Sequence, residues 1–132
     1  MPLLAERAGA LLDTHAALWL VASSKRLSPR ARALVAAPEQ PLIISAVSLW
    51  EVAVKRSLGK LDAPADLARR LAGLGVVELL PISPLHAEAI GELPWHHRDP
   101  FDRMLVAQAQ VEGLSIVSAD PALAQYGVEL IW

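Results

Sequence analysis

Apolar residues along this chain follow two different rhythms. Ala10-Leu11-Leu12 and Leu42-Ile43-Ile44 are short unbroken runs, apolar on both faces, as strands inside a parallel sheet are. The stretches between such runs have helical spacing. That spacing predicts a helix over 14–22, with Leu18, Trp19 and Ala22 on one face. Ser28-Pro29 offers a cap and a first-turn proline for a second helix to about Ala36, closed by Pro38 and Pro41. Ser45 caps a helix from Ala46 to about Ser57, with Leu49, Trp50, Ala53 and Val54 as its apolar stripe and Gly59 as its end. Asp62 to Pro64 opens a more polar helix through about Leu71, ended by Gly73 and Gly75.

Val76 to Leu80 reads as a strand stopped by Pro81, and Ser83-Pro84 opens a helix to about Ile90. After a loop over 94–98, Asp99-Pro100 forms a cap and first helical residue, and Phe101, Leu105, Val106 and Ala109 keep helical spacing up to Gly113. Ser115 to Ser118 is a strand, Asp120-Pro121 repeats the Asp-Pro opening, and Val128 to Ile131 is a last strand. Strands alternating with helices predict an α/β fold: three layers, α/β/α, around a mostly parallel sheet. With no repeat, low-complexity tract or linker, residues 1–132 read as a single domain.

Composition narrows the function. The chain is 54% hydrophobic with a mean hydropathy of +0.37, so it can fill a core. No apolar run approaches the roughly 20 residues that span a bilayer, and the first ten residues lack the layout of a signal peptide. Without cysteine there is no disulfide frame and no thiolate metal site, and the expected compartment is the cytoplasm. The net charge of −2 excludes a broadly basic nucleic-acid binder. Contact with nucleic acid then needs a local patch or bridging metal ions.

The acids carry the candidate chemistry. Asp13 follows the first strand, Glu51 lies on the first turns after the second, Asp102 opens a helix, and Asp120 follows a late strand. In open parallel sheets the ligand crevice lies beyond the carboxyl ends of the strands, so these four can meet there. Clustered carboxylates repel one another unless a cation joins them. An all-oxygen donor set suits Mg²⁺ or Mn²⁺, which can clamp a phosphodiester and activate a water. That is the chemistry of a metal-dependent nuclease or phosphotransferase.

Each acid also has a plainer reading. Asp99 is better explained as a helix cap than as a ligand, and Asp120 before Pro121 can be a cap as well. Asp13 has the least structural reason to be where it is, since acids are poor strand residues. His15, His96 and His97 read as polar loop or surface residues, and the tryptophans as core or interface.

Five segments then form an ordered set: Leu11-Leu12-Asp13-Thr14-His15, Ser45 to Glu51, Lys55 through Gly59-Lys60-Leu61, His97 to Arg103 with Ala107-Gln108-Ala109, and Val117-Ser118-Ala119-Asp120. In that order they resemble the PIN-domain family, and within it the VapC-like toxins of bacterial toxin–antitoxin pairs. The resemblance covers nearly the whole chain. The ten residues before the Leu-Leu-Asp run are more than it leads one to expect.

The resemblance implies a Mg²⁺- or Mn²⁺-dependent ribonuclease whose four acids match Asp13, Glu51, Asp102 and Asp120. Ser118 matches the hydroxyl two residues before the fourth acid. Asp99 is an extra acid of the subgroup, and Thr14 is an auxiliary candidate. Lys55 and Arg103 are the candidates for contact with RNA phosphates. The resemblance further implies a homodimer and a cognate antitoxin that covers or disorders the site. The apolar-rich helices over 14–36 and 46–57 are expected to supply part of that partner surface. Two alternatives remain. A phosphoacceptor receiver domain lacks support, because Asp13 is followed by Thr14 and Ser118-Ala119-Asp120 contains no lysine. A non-catalytic RNA-binding module conflicts with the complete set of acids.

Overall fold

The computed structural model describes residues 9–36, 40–76 and 78–132. Pro38, expected to close the second helix, and Val77, expected inside the third strand, lie outside the described residues, as does most of the N-terminal extension. β1 (Ala10–Leu12) is followed by α1 (Thr14–Val21), α2 (Pro29–Ala36) and β2 (Leu42–Ser45). Next come α3 (Ala46–Ser57), α4 (Leu67–Gly73) and β3 (Glu78–Leu80). α5 (Pro84–Ile90) and α6 (Pro100–Glu112) lead to β4 (Ser115–Val117), a 3₁₀ helix (Pro121–Tyr126) and β5 (Leu130–Ile131).

The five strands form one sheet in the order β3-β2-β1-β4-β5, and every pairing is parallel. Leu12 of β1 sits between Ile44 of β2 and Val117 of β4. From β1 the chain builds outward through β2 to β3, then returns to the other side of β1 for β4 and β5. The order therefore reverses between β1 and β4, beside the central strand. Alternation along the strands sends side chains to two cores. Ala10, Leu12, Leu42 and Ile44 pack with Ala16 and Ala17 of α1, Ala31 of α2 and Leu71 of α4. Leu11 and Ile43 face the other way, against Val47 and Leu105. Val106, Ala109, Ile116, Leu123 and Tyr126 extend that second side. The expected three-layer α/β/α architecture is the observed one.

Local chemistry sets the helix ends. Asp99 accepts the N–H groups of Phe101 and Asp102 at 2.8 and 3.2 Å, with Pro100 next to it. Gly113 closes α6 with φ +69°, a conformation that other residues rarely adopt. Arg103 threads the connection before α6. Its guanidinium donates to the carbonyls of Pro94 (2.9 Å), Ile90 (3.2 Å) and Leu93 (3.3 Å), and its other face stacks 3.8 Å from the Trp95 ring.

Three sequence expectations need correction. α3 does not bury Leu49, Trp50, Ala53 and Val54: Val47, Ser48, Glu51 and Val52 are buried, and Trp50 is 57% exposed. Counting apolar residues misses this face because Ser48 and Glu51 are buried by hydrogen bonds to Thr14 rather than by greasiness. α1 buries Thr14, Ala16 and Ala17, with Leu18 and Trp19 only half-buried and Ala22 exposed. Small residues let this helix lie close on the sheet. α4 begins at Leu67 rather than near Asp62, and Asp66 at its start makes no side-chain cap bond.

Candidate active site

The carboxyl ends of β1, β2 and β4 come together on one edge of the sheet, at the point where the strand order reverses. Asp13 leaves β1 as the N-cap of α1, its Oδ1 accepting the Ala16 N–H at 2.7 Å. Asp13 thus has the structural task that the sequence did not suggest. Its second oxygen is not used by that cap. Ser118, just past β4, faces the Asp13 carboxyl and accepts the Asp120 N–H at 3.0 Å. Asp120 in turn caps the 3₁₀ helix through Oδ1 and the Ala122 N–H, 3.0 Å apart. In each of these caps one carboxylate oxygen is anchored to backbone and the other is left for different chemistry.

Glu51 is buried on α3, where Thr14 donates to its Oε1 at 2.6 Å and Lys55, one turn on, donates to its Oε2 at 2.5 Å. Ser48 Oγ lies 3.0 Å from the same Thr14 hydroxyl. Asp102 stands on the first turn of α6, downstream of the Asp99 cap. Burial and the charge of Asp99 push its carboxyl up to about 7, with further repulsion from Glu51 and Asp13 and an offset from His97. Burial also raises Asp13, against the lowering influence of Ser118, the Ala16 N–H and His15. Asp102 is thus electrostatically coupled to Asp99, Glu51 and Asp13.

His97 is the residue that sequence reasoning set aside. Its Nε2 lies 3.2 Å from Asp120 Oδ2 and 3.4 Å from Asp102 Oδ2, bridging two acids from different elements. One atom from each of His97, Asp102 and Asp120 falls within 4.8 Å of the others, close enough among the described residues to share a metal ion. Yet His97 is poorly set to be a ligand. Its Nδ1 accepts the Asp99 N–H at 3.1 Å, so the ring proton sits on Nε2 and points at the acids. Binding a cation through Nε2 would move that proton to Nδ1, against a backbone donor. The geometry makes His97 a hydrogen-bond donor to Asp120, with the Asp102 carboxylate 3.4 Å from the same nitrogen. The legible signal was its place two residues before the Asp99 cap.

Arg103, a sequence candidate for RNA contact, is corrected by its surroundings. It is 4% exposed, and its donors are spent on carbonyls and on Tyr126. It shapes the loop before the site. Lys55 remains on the rim, with its ammonium held on Glu51 and 5.9 Å from the Phe101 ring centroid.

The donor set suits a hard divalent cation. Among the described residues, carboxylate oxygens of Asp102 and Asp120 lie within 4.8 Å of one another and of His97, whereas Asp13 and Glu51 fall outside that group, and Asp102 is discouraged from ionising by its neighbours. A divalent ion reverses that penalty, and Mg²⁺ or Mn²⁺ matches carboxylate oxygen ligands.

A family model described as PIN domain matches residues 10–129. The chain belongs to the PIN domain family. That family is one of nucleases, and this member's acids lie at the crevice position of its sheet. The fold is shared with VapBC2 from Rickettsia felis bound to a DNA fragment from their promoter (TM-score 0.65, 15% identity, 92% of this chain and 96% of that one). It is shared too with FitAcB from Neisseria gonorrhoeae (TM-score 0.59, 19% identity, 92% and 95%). A toxin–antitoxin complex from Klebsiella pneumoniae is 26% identical over 85% of this chain and 87% of that one, with a TM-score of 0.57. No curated protein matches this PIN domain significantly in sequence. Among the described residues no helix is long and apolar enough to cross a membrane.

Proposed function

We propose that this PIN domain is an endoribonuclease toxin of a toxin–antitoxin pair, acting in the cytoplasm. It hydrolyses RNA phosphodiesters with Mg²⁺ or Mn²⁺ held by Asp13, Glu51, Asp102 and Asp120. The observation that carries the reading is geometric: Asp102 and Asp120 oxygens meet within 4.8 Å, Asp13 borders the same cavity as Asp120, and burial and Asp99 push the Asp102 carboxyl up. A structural acid gains nothing from such company, whereas a metal ligand does. When bound, the ion supplies a nucleophilic water at neutral pH and offsets charge on the leaving oxygen.

The chain's own residues position that chemistry. Thr14, with Ser48 on the same hydroxyl, fixes Glu51, Ser118 sets Asp13 and the Asp120 backbone, and Asp99 anchors the turn that presents Asp102. His97 donates to Asp120 beside the Asp102 carboxylate. Lys55 shares Glu51 and is placed to meet an RNA phosphate at the rim. The receiver alternative falls with membership of the PIN family, and the complete acid set argues against a non-catalytic module.

The antitoxin and the homodimer are part of the proposal. The Klebsiella pneumoniae relative is a toxin–antitoxin complex, which supports a protein partner here. A groove of about 340 Å³ between α3 and α4, lined by Leu49, Val52, Ala53 and Leu67 together with Arg56, Asp66 and Arg69, offers a bed for an amphipathic partner helix. Exposed Trp50, Leu58, Leu79 and Leu85 supply large apolar surface for a second copy. The test is RNA cleavage by purified protein. Cleavage in Mg²⁺ or Mn²⁺ that stops with EDTA is expected, and undiminished cleavage in excess chelator would sink the metal mechanism.

A further inference from the structure

A separate cavity of about 320 Å³ opens beside the acids and is lined by Asp13, His15, Trp19, Arg26, Ala119 and Asp120. Its volume is at the lower end of the roughly 300–1,000 Å³ typical of small-ligand sites. Its composition is unusual for a solvent dent: two of the site's acids, one guanidinium and an aromatic pair share one wall. His15 and Trp19 stand with ring centroids 5.7 Å apart. Arg26 is exposed and, among the described residues, pairs with no carboxylate, although Asp13 and Asp120 border the same cavity.

The turn that carries Arg26 is held in place. Ser24 donates its N–H to the Trp19 carbonyl at 2.8 Å, and its hydroxyl accepts the Arg26 N–H at 3.1 Å. Arg32 reaches back to the carbonyls of Ser24 and Leu27 at 3.3 and 3.1 Å. Ser23 adopts φ +52°, a left-handed conformation that costs a non-glycine residue energy and persists only where its surroundings impose it. The result folds the chain back after α1 and leaves Arg26 lining the cavity.

We infer that this cavity is the subsite for the nucleotide beside the scissile phosphate of a single-stranded RNA, with Arg26 on the adjoining phosphate and the base against His15 and Trp19. The inference rests on the ribonuclease reading above. A polyanion approaching two carboxylates on a chain of net charge −2 needs local cationic help, and Arg26 lines this cavity with no carboxylate partner among the described residues. Aromatic faces next to a cation are what unpaired bases bind, without regard to sequence. A larger groove of about 490 Å³ shares His15, Trp19 and Arg26 and continues along α1, giving the strand a path away from the acids.

The test compares wild type with Arg26→Glu, Arg26→Lys and His15→Ala. Affinity for a short fluorescein-labelled single-stranded RNA is measured by anisotropy in EDTA, and KM by cleavage in Mg²⁺. Arg26→Glu is expected to raise Kd and KM by roughly tenfold, a loss that Arg26→Lys largely restores. The slope of log affinity against log salt should flatten by about 0.7, the loss of one single-strand phosphate contact. His15→Ala should raise KM several-fold. Wild-type Kd, KM and salt slope in Arg26→Glu would overturn the assignment. So would a change of oligomeric state with KM unmoved, which would make the cavity a protein interface. A wild type that cleaves no RNA in Mg²⁺ or Mn²⁺ sinks the nuclease reading instead. The anisotropy comparison then still decides the subsite, and wild-type affinity in Arg26→Glu overturns it.

Discussion

Thr14 Oγ1 donates to Glu51 Oε1 at 2.6 Å, tying the first residue of α1 to a buried acid of α3. The bond joins the first crossover to the second and fixes Glu51 beside the end of β1. Thr14→Val keeps the shape and deletes the hydroxyl, leaving a buried carboxylate oxygen short of a donor. Stability should fall by about 1–3 kcal/mol. Cleavage should fall as well, because Glu51 is freed to move. Thr14→Ser should recover most of both. Chemical denaturation and cleavage rates of the three proteins make the comparison, and an unchanged Thr14→Val protein would remove Thr14 from the site.

Asp102→Asn separates metal binding from helix capping. As a cap-turn acid, Asp102 contributes only a charge–dipole interaction of about 0.3–1 kcal/mol. The observed cap is Asp99, which the change leaves in place. In EDTA the variant should therefore be as stable as wild type or more so, since a repelled carboxylate is gone. In Mg²⁺ the wild type should gain melting temperature by mass action and the variant should gain less. Cleavage should drop by several orders of magnitude. Equal destabilisation in both buffers with cleavage retained would return Asp102 to a purely structural role.

The pH dependence of the metal-free protein has a definite sign. Burial and the charge of Asp99 push the folded-state carboxyl of Asp102 up to about 7, well above the ordinary carboxylate range of roughly 4. Between those values the folded chain keeps a proton that the unfolded chain has lost. Its contribution is complete below about pH 4 and disappears as pH rises through 7, on the order of 2–4 kcal/mol. The raised Asp13 acts in the same direction. Denaturation in EDTA should show stability declining from pH 4 to 7, and Asp102→Asn should flatten the slope. A wild-type curve already flat over that range contradicts the crowding.

Arg103 should behave as a structural residue. Its guanidinium reaches the carbonyls of Ile90, Leu93, Pro94 and His97 and lies on Trp95, a pattern that a single ammonium cannot copy. Arg103→Lys should cost on the order of 2 kcal/mol through stranded buried acceptors. KM for RNA should stay within about twofold of wild type once the folded fraction is taken into account. A stable variant with a large KM increase would restore the RNA role and show that the guanidinium leaves its carbonyls in solution.

Lys55 offers a smaller and opposite effect. Its ammonium occupies Glu51 Oε2 at 2.5 Å while remaining about one-third exposed, so the pair adds little stability. Lys55→Gln should change stability by no more than about 0.5 kcal/mol. It should also lower the Mg²⁺ concentration needed for half-maximal melting shift, since a competing cation is gone. A higher Mg²⁺ requirement would mean that Lys55 assists the acid rather than competing for it.

Local patterns along the chain were enough to set the frame. Doubly apolar runs at Ala10–Leu12 and Leu42–Ile44 marked buried parallel strands, because only a strand covered on both faces tolerates no polar alternation. Asp99-Pro100 and Gly113 marked the ends of α6, because capping chemistry is local and needs no partner from elsewhere. The four acids were visible as residues following strands or opening helices. Tertiary structure decided what local reading cannot reach. The strand order β3-β2-β1-β4-β5 put Asp13 and Asp120 on neighbouring strand ends, and pairing order is not written in any one segment. The buried face of α3 was set by Thr14 from another element, so hydrophobic spacing pointed to Trp50 while hydrogen bonding buried Glu51. Arg103 read as a surface cation until loop carbonyls converged on it, and His97 read as a loop residue until two acids from distant segments closed around it. In each case a charged or polar side chain took its role from partners far away in the chain. Burial of such groups depends on those partners, and only folding brings them within reach.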